Sequence, residues 1–232
     1  MNTFLNHLKW QFILLQKNNI ITISFVVTFV YGLILFFLKD VKHIDKFLVS
    51  LVLNDPSVIG YFFIALAVYT EIKHGVLNAL FVTPVKSHEY LISKIISLSI
   101  IGTICSVGLA LSIKGINFHI PNYIIGSFCI CLLSALLGII VLTFTSDFLN
   151  FALLSIPVFF LFTGITLLQY LGTVDIGMYK YLFPVQGGLD LLDNAVSGTK
   201  INYTYVYGSI CFSILFFYVI ALRLFTKKFV TQ

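Results

Sequence analysis

The sequence predicts an all-α membrane protein with six transmembrane helices, and three features of the chain predict it. Apolar residues make up 59% of the 232 residues and charged residues only 10%, whereas a water-soluble domain is about a quarter charged. Polar surface cannot cover a core of this size, so lipid must solvate much of the exterior. Six apolar segments follow one another along the chain, and a helix of about 20 residues crosses the ~30 Å hydrocarbon layer. The net charge of +5 comes from basic residues that flank these segments. In that placement they speak for lipid headgroups and membrane topology rather than for nucleic acid.

Taken in order, residues 1–17 read as an amphipathic helix lying in the headgroup plane. Phe4, Leu8, Phe12 and Leu15 share one face, Asn6, Lys9 and Lys17 lie off it, and Trp10 suits that depth. The first span covers about 20–38. It is longer than the apolar core of a secretion signal and no small-residue cleavage motif follows, so it is read as a span that stays. Val41, Ile44, Leu48 and Leu51 then recur at helical spacing, which predicts an outer interfacial helix over 39–54. Asp55-Pro56 reads as an N-cap followed by proline at the first helical position, opening a second span at about 56–71.

A connection over 72–89 leads to a third span at about 90–113 and a fourth at about 123–146. Asp147 alone marks the link to the fifth, about 148–171, where Pro157 predicts a kink. The connection over 172–202 carries Phe183-Pro184, Gly187-Gly188 and an amphipathic stretch, Leu189–Val196, and is read as an outer segment that dips back toward the membrane. The sixth span covers about 203–225. Arg223, Lys227 and Lys228 at its end favour both termini in the cytoplasm.

The chemistry the chain omits is informative. It contains no G-x-x-x-x-G-K-[ST], no H-E-x-x-H and no G-x-S-x-G. Cys105, Cys129, Cys131 and Cys211 fall inside apolar runs without zinc spacing, and the five histidines are scattered through flanks and loops. This predicts no enzyme, no metal site and no catalytic residue. With Asp55 read as a cap, and Glu71 and Asp147 at segment ends, the span interiors look almost free of ionisable groups. That argues against a proton- or sodium-driven carrier, so energy for uphill transport must come from a partner.

The 72–89 connection and its edges carry a resemblance. Glu71, Gly75, Leu77, Leu80, Thr83, Pro84, Tyr90 and Lys94 stand as acidic residue, glycine, spaced leucines, Thr-Pro, aromatic and lysine. This resembles the signature segment of the ABC-2 family of ATP-binding-cassette permeases. Ile72-Lys73 departs from the Arg-Glu that many relatives place there. Residue by residue, Leu77, Leu80 and Phe81 give a short helix, Val76–Val82, an apolar face suited to a groove on a partner, and Pro84 stops it.

The resemblance implies a single permease domain over 1–232 and a coupling helix resting on a separate cassette ATPase, which would hold ATP and Mg. Glu71, Gly75, Leu77, Leu80, Phe81, Thr83 and Pro84 would form the coupling region. Glu71, otherwise a carboxylate at the water interface, would pair with the N-terminal helix or the partner. The resemblance also implies a second permease copy, identical or paralogous, and a bacterial cell membrane. Tyr61, Phe62, Tyr69, Phe159, Phe160 and Phe162 would line a path along the second and fifth spans, and Pro184, Gly187 and Gly188 an outer gate. Small permeases of this kind export drugs such as fluoroquinolones or amphipathic peptides such as phenol-soluble modulins, which implies hydrophobic or amphipathic cargo. A non-transporting scaffold, immunity or sensor component is the alternative.

Overall fold

The computed structural model describes residues 2–38, 44–77 and 86–229, with side chains from Leu5 onward. Among the described residues ten α-helices succeed one another: α1 (Asn2–Lys17), α2 (Ile20–Phe37), α3 (Ile44–Val58), α4 (Ile64–Lys73), α5 (Ser87–Lys114), α6 (Ile120–Thr143), α7 (Phe148–Phe159), α8 (Ile165–Leu171), α9 (Gln186–Ser197) and α10 (Tyr203–Phe229). A π-helical turn, Ile59–Phe63, joins α3 to α4, and a second, Phe160–Gly164, joins α7 to α8. A 3₁₀ turn, Gly177–Leu182, precedes α9. Among the described residues six continuous helical stretches are long and apolar enough to cross a membrane: Ile20–Phe37, Ile44–Lys73, Ser87–Lys114, Ile120–Thr143, Phe148–Leu171 and Tyr203–Phe229. The protein is thus all-α and multi-pass.

The second span departs from the sequence reading. Asp55-Pro56 does not start a helix, and 44–54 is not a separate interfacial element. One continuous stretch runs from Ile44 to Lys73 with Pro56 inside it. Leu48, Val49, Val52 and Leu53 are fully buried, so this first half belongs to the core. A proline inside a helix removes one hydrogen bond and crowds the carbonyl four residues back. In a membrane bundle, neighbouring helices and local π adjustments absorb that cost, and the π turn three residues after Pro56 is such an adjustment.

The fourth span, α6, is the hub. It packs against the second span, α5, α9 and α10. Lipid tails are as apolar as leucine, so spans associate through close packing of small residues and through polar contacts rather than through hydrophobic exclusion. Gly60 and Gly138 show the first device. A Cβ on Gly60 would overlap the carbonyl oxygen of Cys131, and one on Gly138 would overlap that of Tyr61. The second span therefore presses backbone to backbone on α6. Tyr123 shows the second device, donating its hydroxyl to the Ser106 carbonyl 2.7 Å away on α5. At the other end of α6, Lys228 of α10 reaches the freed carbonyls of Leu142 and Thr145, which suits a cation at a helix C-terminus.

The spans divide into a buried set and a peripheral set. The second, third and fourth are mostly buried, whereas α2, the fifth span and α10 are mostly exposed. Phe29 and Phe37 of α2, Leu149 and Ile156 of α7, and Phe212 of α10 all face outward, as lipid-contacting positions do.

Candidate functional site

Two prolines shape the first part of the site. Pro56 and Pro157 each lie three residues before a π turn, Ile59–Phe63 in the second span and Phe160–Gly164 in the fifth. A π turn inserts one extra residue into the helix, which rotates the following side chains relative to the preceding ones. In the two spans it brings aromatic rings together. Tyr61 is fully buried, with its ring centroid 5.0 Å from Phe62, 5.5 Å from Phe151 and 5.4 Å from Phe159, and Phe62 lies 5.9 Å from Phe159. Beside this cluster a cleft of about 400 Å³ opens between the second and fifth spans. Its walls are apolar, including Phe62, Phe159, Phe160 and Leu167, and Asn54 and Thr163 supply the polar groups. That is the make-up of a small-molecule site: apolar lining, few polar groups and drug-sized volume.

Of the six aromatics expected on a path, Phe62, Phe159 and Phe160 line the cleft. Tyr61 lies behind it. Phe162 is turned toward α10, edge-on to Phe217 at 5.8 Å, and Tyr69 pairs with Phe148 at 5.8 Å nearer the α1 end. Asn54 and Thr163 escaped the sequence reading. Asn54 was assigned to a connection before the second span, and only the continuous helix through Pro56 brings it to the cleft.

The second part of the site is ionic. Glu71, near the end of α4, is 5% exposed, and Lys94 of α5 is fully buried. Lys94 Nζ lies 2.5 Å from Glu71 Oε1, and Tyr90 donates its hydroxyl to Glu71 Oε2 at 2.5 Å. Tyr90 also stacks on Phe225 of α10 at 5.7 Å. One carboxylate and its partners therefore tie together the second, third and sixth spans, at the point where the chain leaves α4 for the 72–89 connection. This corrects the reading of Glu71 as a group at the water interface or paired with the N-terminal helix or a partner: its ligands come from α5. The spacing of Glu71, Tyr90 and Lys94 in the motif is the signal that could have found them.

The connection itself is described only in part. Gly75 closes α4 in the left-handed region at φ 68°, Val76 is exposed, and Leu77 is 2% exposed within the main core. Leu77, expected on the apolar face of the coupling helix, is a core residue here. Leu80, Phe81, Thr83 and Pro84 lie outside the described residues. At the opposite end Pro184 lies in the turn before α9, while Gly187 and Gly188 lie inside α9 rather than in that turn. A Cβ on Gly187 would press on Ser209 and the Val206 carbonyl of α10, and one on Gly188 on Ile130 of α6, so these glycines let α9 seat between α6 and α10.

The model of the fluoroquinolones export permease protein family matches residues 2–232. The chain belongs to that family. This ABC-2-type permease is also similar to the fluoroquinolones export permease proteins of two Mycobacterium tuberculosis strains, CDC 1551 and H37Rv. It is 29% identical to each, with 68% of each chain covered. The permease is accordingly a transport subunit rather than an enzyme, built as a multi-pass membrane protein, and its family implies an ATPase partner.

Proposed function

We propose that the permease is the membrane half of an ATP-driven exporter for amphipathic drugs of the fluoroquinolone kind. The observation that carries this is the family match over residues 2–232, and the cleft between the second and fifth spans is consistent with it. In this reading two six-span copies face each other, identical or paralogous, and a separate cassette subunit binds ATP and Mg on the cytoplasmic side, where both termini lie. Phe62, Phe159 and Phe160 hold the planar part of the cargo by aromatic contact. Asn54 and Thr163 orient its polar groups.

Coupling runs through the 72–89 connection. The Glu71–Lys94–Tyr90 knot makes the α4 and α5 ends one rigid unit, so a push on that connection moves the second, third and sixth spans together. Pro184 and α9 close the outer end.

The test is drug export from cells or vesicles carrying the permease with its cassette partner. Phe159→Ala is expected to lower export while leaving the amount of folded permease unchanged. Leu80→Asp is expected to abolish ATPase co-purification. Full export by a Leu80→Asp permease that no longer retains any ATPase would refute the ATP-driven reading.

A further inference from the structure

A second carboxylate in the same span lacks what Glu71 has. Asp55 is 6% exposed, and its Oδ2 is buried without a hydrogen-bond partner among the described residues. Among the described residues the ion pairs are Lys94–Glu71 and Lys114–Asp45, and Asp55 is in neither.

Its depth follows from its surroundings. Ile59, four residues after Asp55, shares a core cluster with Cys105 of α5 and Cys131 of α6, and Leu53, two residues before it, shares one with Tyr123 of α6. Cys131 stands at mid-length of α6, and Tyr123 stands toward the end of α6 that meets α9. The carboxyl therefore lies inside the bundle, between the midplane and the α9 end. This overturns the expectation that the span interiors are nearly free of ionisable groups. Lys94 stands inside the third span as well, but it is paired.

Among the described residues, the other ionisable groups on elements packed against α3 do not supply a cation. Lys114 on α5 lies 2.7 Å from Asp45. On α9, Asp193 accepts from Tyr170 of α8 and from Thr199, and Asp190 accepts from Gln186, with burial holding the Asp190 carboxyl above the usual carboxylate range. Tyr31 on α2 and Tyr61 in the π turn bear no positive charge. An ionised carboxylate with neither cation nor donor is very costly in a medium of low dielectric, and an ionisable group inside a membrane span points to function by default.

We propose that Asp55 is an intramembrane proton site: Oδ2 carries a proton while the bundle is closed and yields it to water when the α9 end opens. The step balances with water alone. The carboxylic acid and one water become carboxylate and hydronium on opening, and the reverse occurs on closing. Opening at this end is then a proton-releasing step, separate from any ATP-driven step at the α1 end, and its test does not depend on the export reading.

The first experiment is infrared spectroscopy of the full chain in lipid nanodiscs at neutral pH. The expected result is a protonated-carboxyl C=O band that is lost in Asp55→Asn and shifted in Asp55→Glu. Absence of the band in the wild-type chain, or its survival unchanged in both variants, overturns the assignment. Loss of the band on adding sodium, with return in choline, would mean that a metal cation holds the site and also overturns it. The second experiment is hydrogen exchange of the α9 amides, corrected for the intrinsic pH effect. Exchange is expected to rise in alkali for the wild type and to stay level for Asp55→Asn. An equal rise in both overturns the release step.

Discussion

The two buried carboxylates of the second span have equal burial and opposite company. Glu71, toward the α1 end, holds Lys94 and Tyr90. Asp55, toward the α9 end, holds nothing through Oδ2 among the described residues. The difference shows that burial alone does not assign a role to a charged side chain. A lysine and a tyrosine turn one carboxylate into a clasp between spans, and the other, with no such partner among the described residues, is the one we assign a proton. The contacts around the two carboxylates differ as well. The α1 end is joined by an ion pair and a ring stack onto α10. The α9 end is joined by the partly exposed Lys114–Asp45 ion pair, by hydrogen bonds such as Asn122 to Asn194 at 2.7 Å and by close packing of Gly187 and Gly188. The ion pair of the α1 end is buried and that of the α9 end is partly exposed, where such a pair contributes little, so the α9 end is the easier one to open.

Mutations can break that contrast. The largest effect is expected for Lys94→Met, which leaves Glu71 buried without its cation. Breaking a buried pair from one side costs about 3–5 kcal/mol, so thermal unfolding in detergent should occur at clearly lower temperature. The double variant Glu71→Leu/Lys94→Met should regain most of the loss. Next is Gly138→Leu, between the two ends. Its side chain would meet the Tyr61 carbonyl and Ile64, backbone and packed core that cannot swing aside. Overpacking of this sort costs about 1–3 kcal/mol, and the same melting assay should show it.

Tyr90→Phe removes one donor to a charged acceptor while keeping the stack on Phe225. About 1.5–3 kcal/mol is at stake, with α4–α5 hydrogen exchange as the sharper readout. The smallest effect is expected at the other carboxylate. Asp55→Asn removes no ion pair and keeps the shape of the side chain, so the melting temperature should move far less than for Lys94→Met. A loss at Asp55 as large as that at Lys94 would erase the contrast between the two ends.

Much of this architecture was legible in the residues. Long apolar runs with basic flanks announce spans because a membrane imposes a minimum length, and length is a property of sequence. The Glu71-to-Lys94 motif was legible as a pattern, though its geometry was not: that Glu71 and Lys94 face each other depends on how α4 and α5 cross. The main misreading came at Asp55-Pro56. Aspartate followed by proline opens helices in water, where an interior proline breaks them. Here the packed bundle and a π turn accommodate Pro56, and the helix runs on.

That one continuation moved Asn54 into the cleft, Asp55 inside the bundle, and Leu48, Val49, Val52 and Leu53 into the core. Leu77 shows the same limit. Its spacing fits an apolar face equally well against a partner or against the protein's own core, and only contacts distinguish the two.

The sequence by itself determined that the chain is helical and that it spans a membrane, and it shows no G-x-x-x-x-G-K-[ST] motif, because hydrophobic length and motif spacing are written along one dimension. The tertiary structure decided which carboxylate has a cation and which aromatics share a cleft. Those are distances between segments far apart in the chain, set where Gly60 and Gly138 let two helices touch.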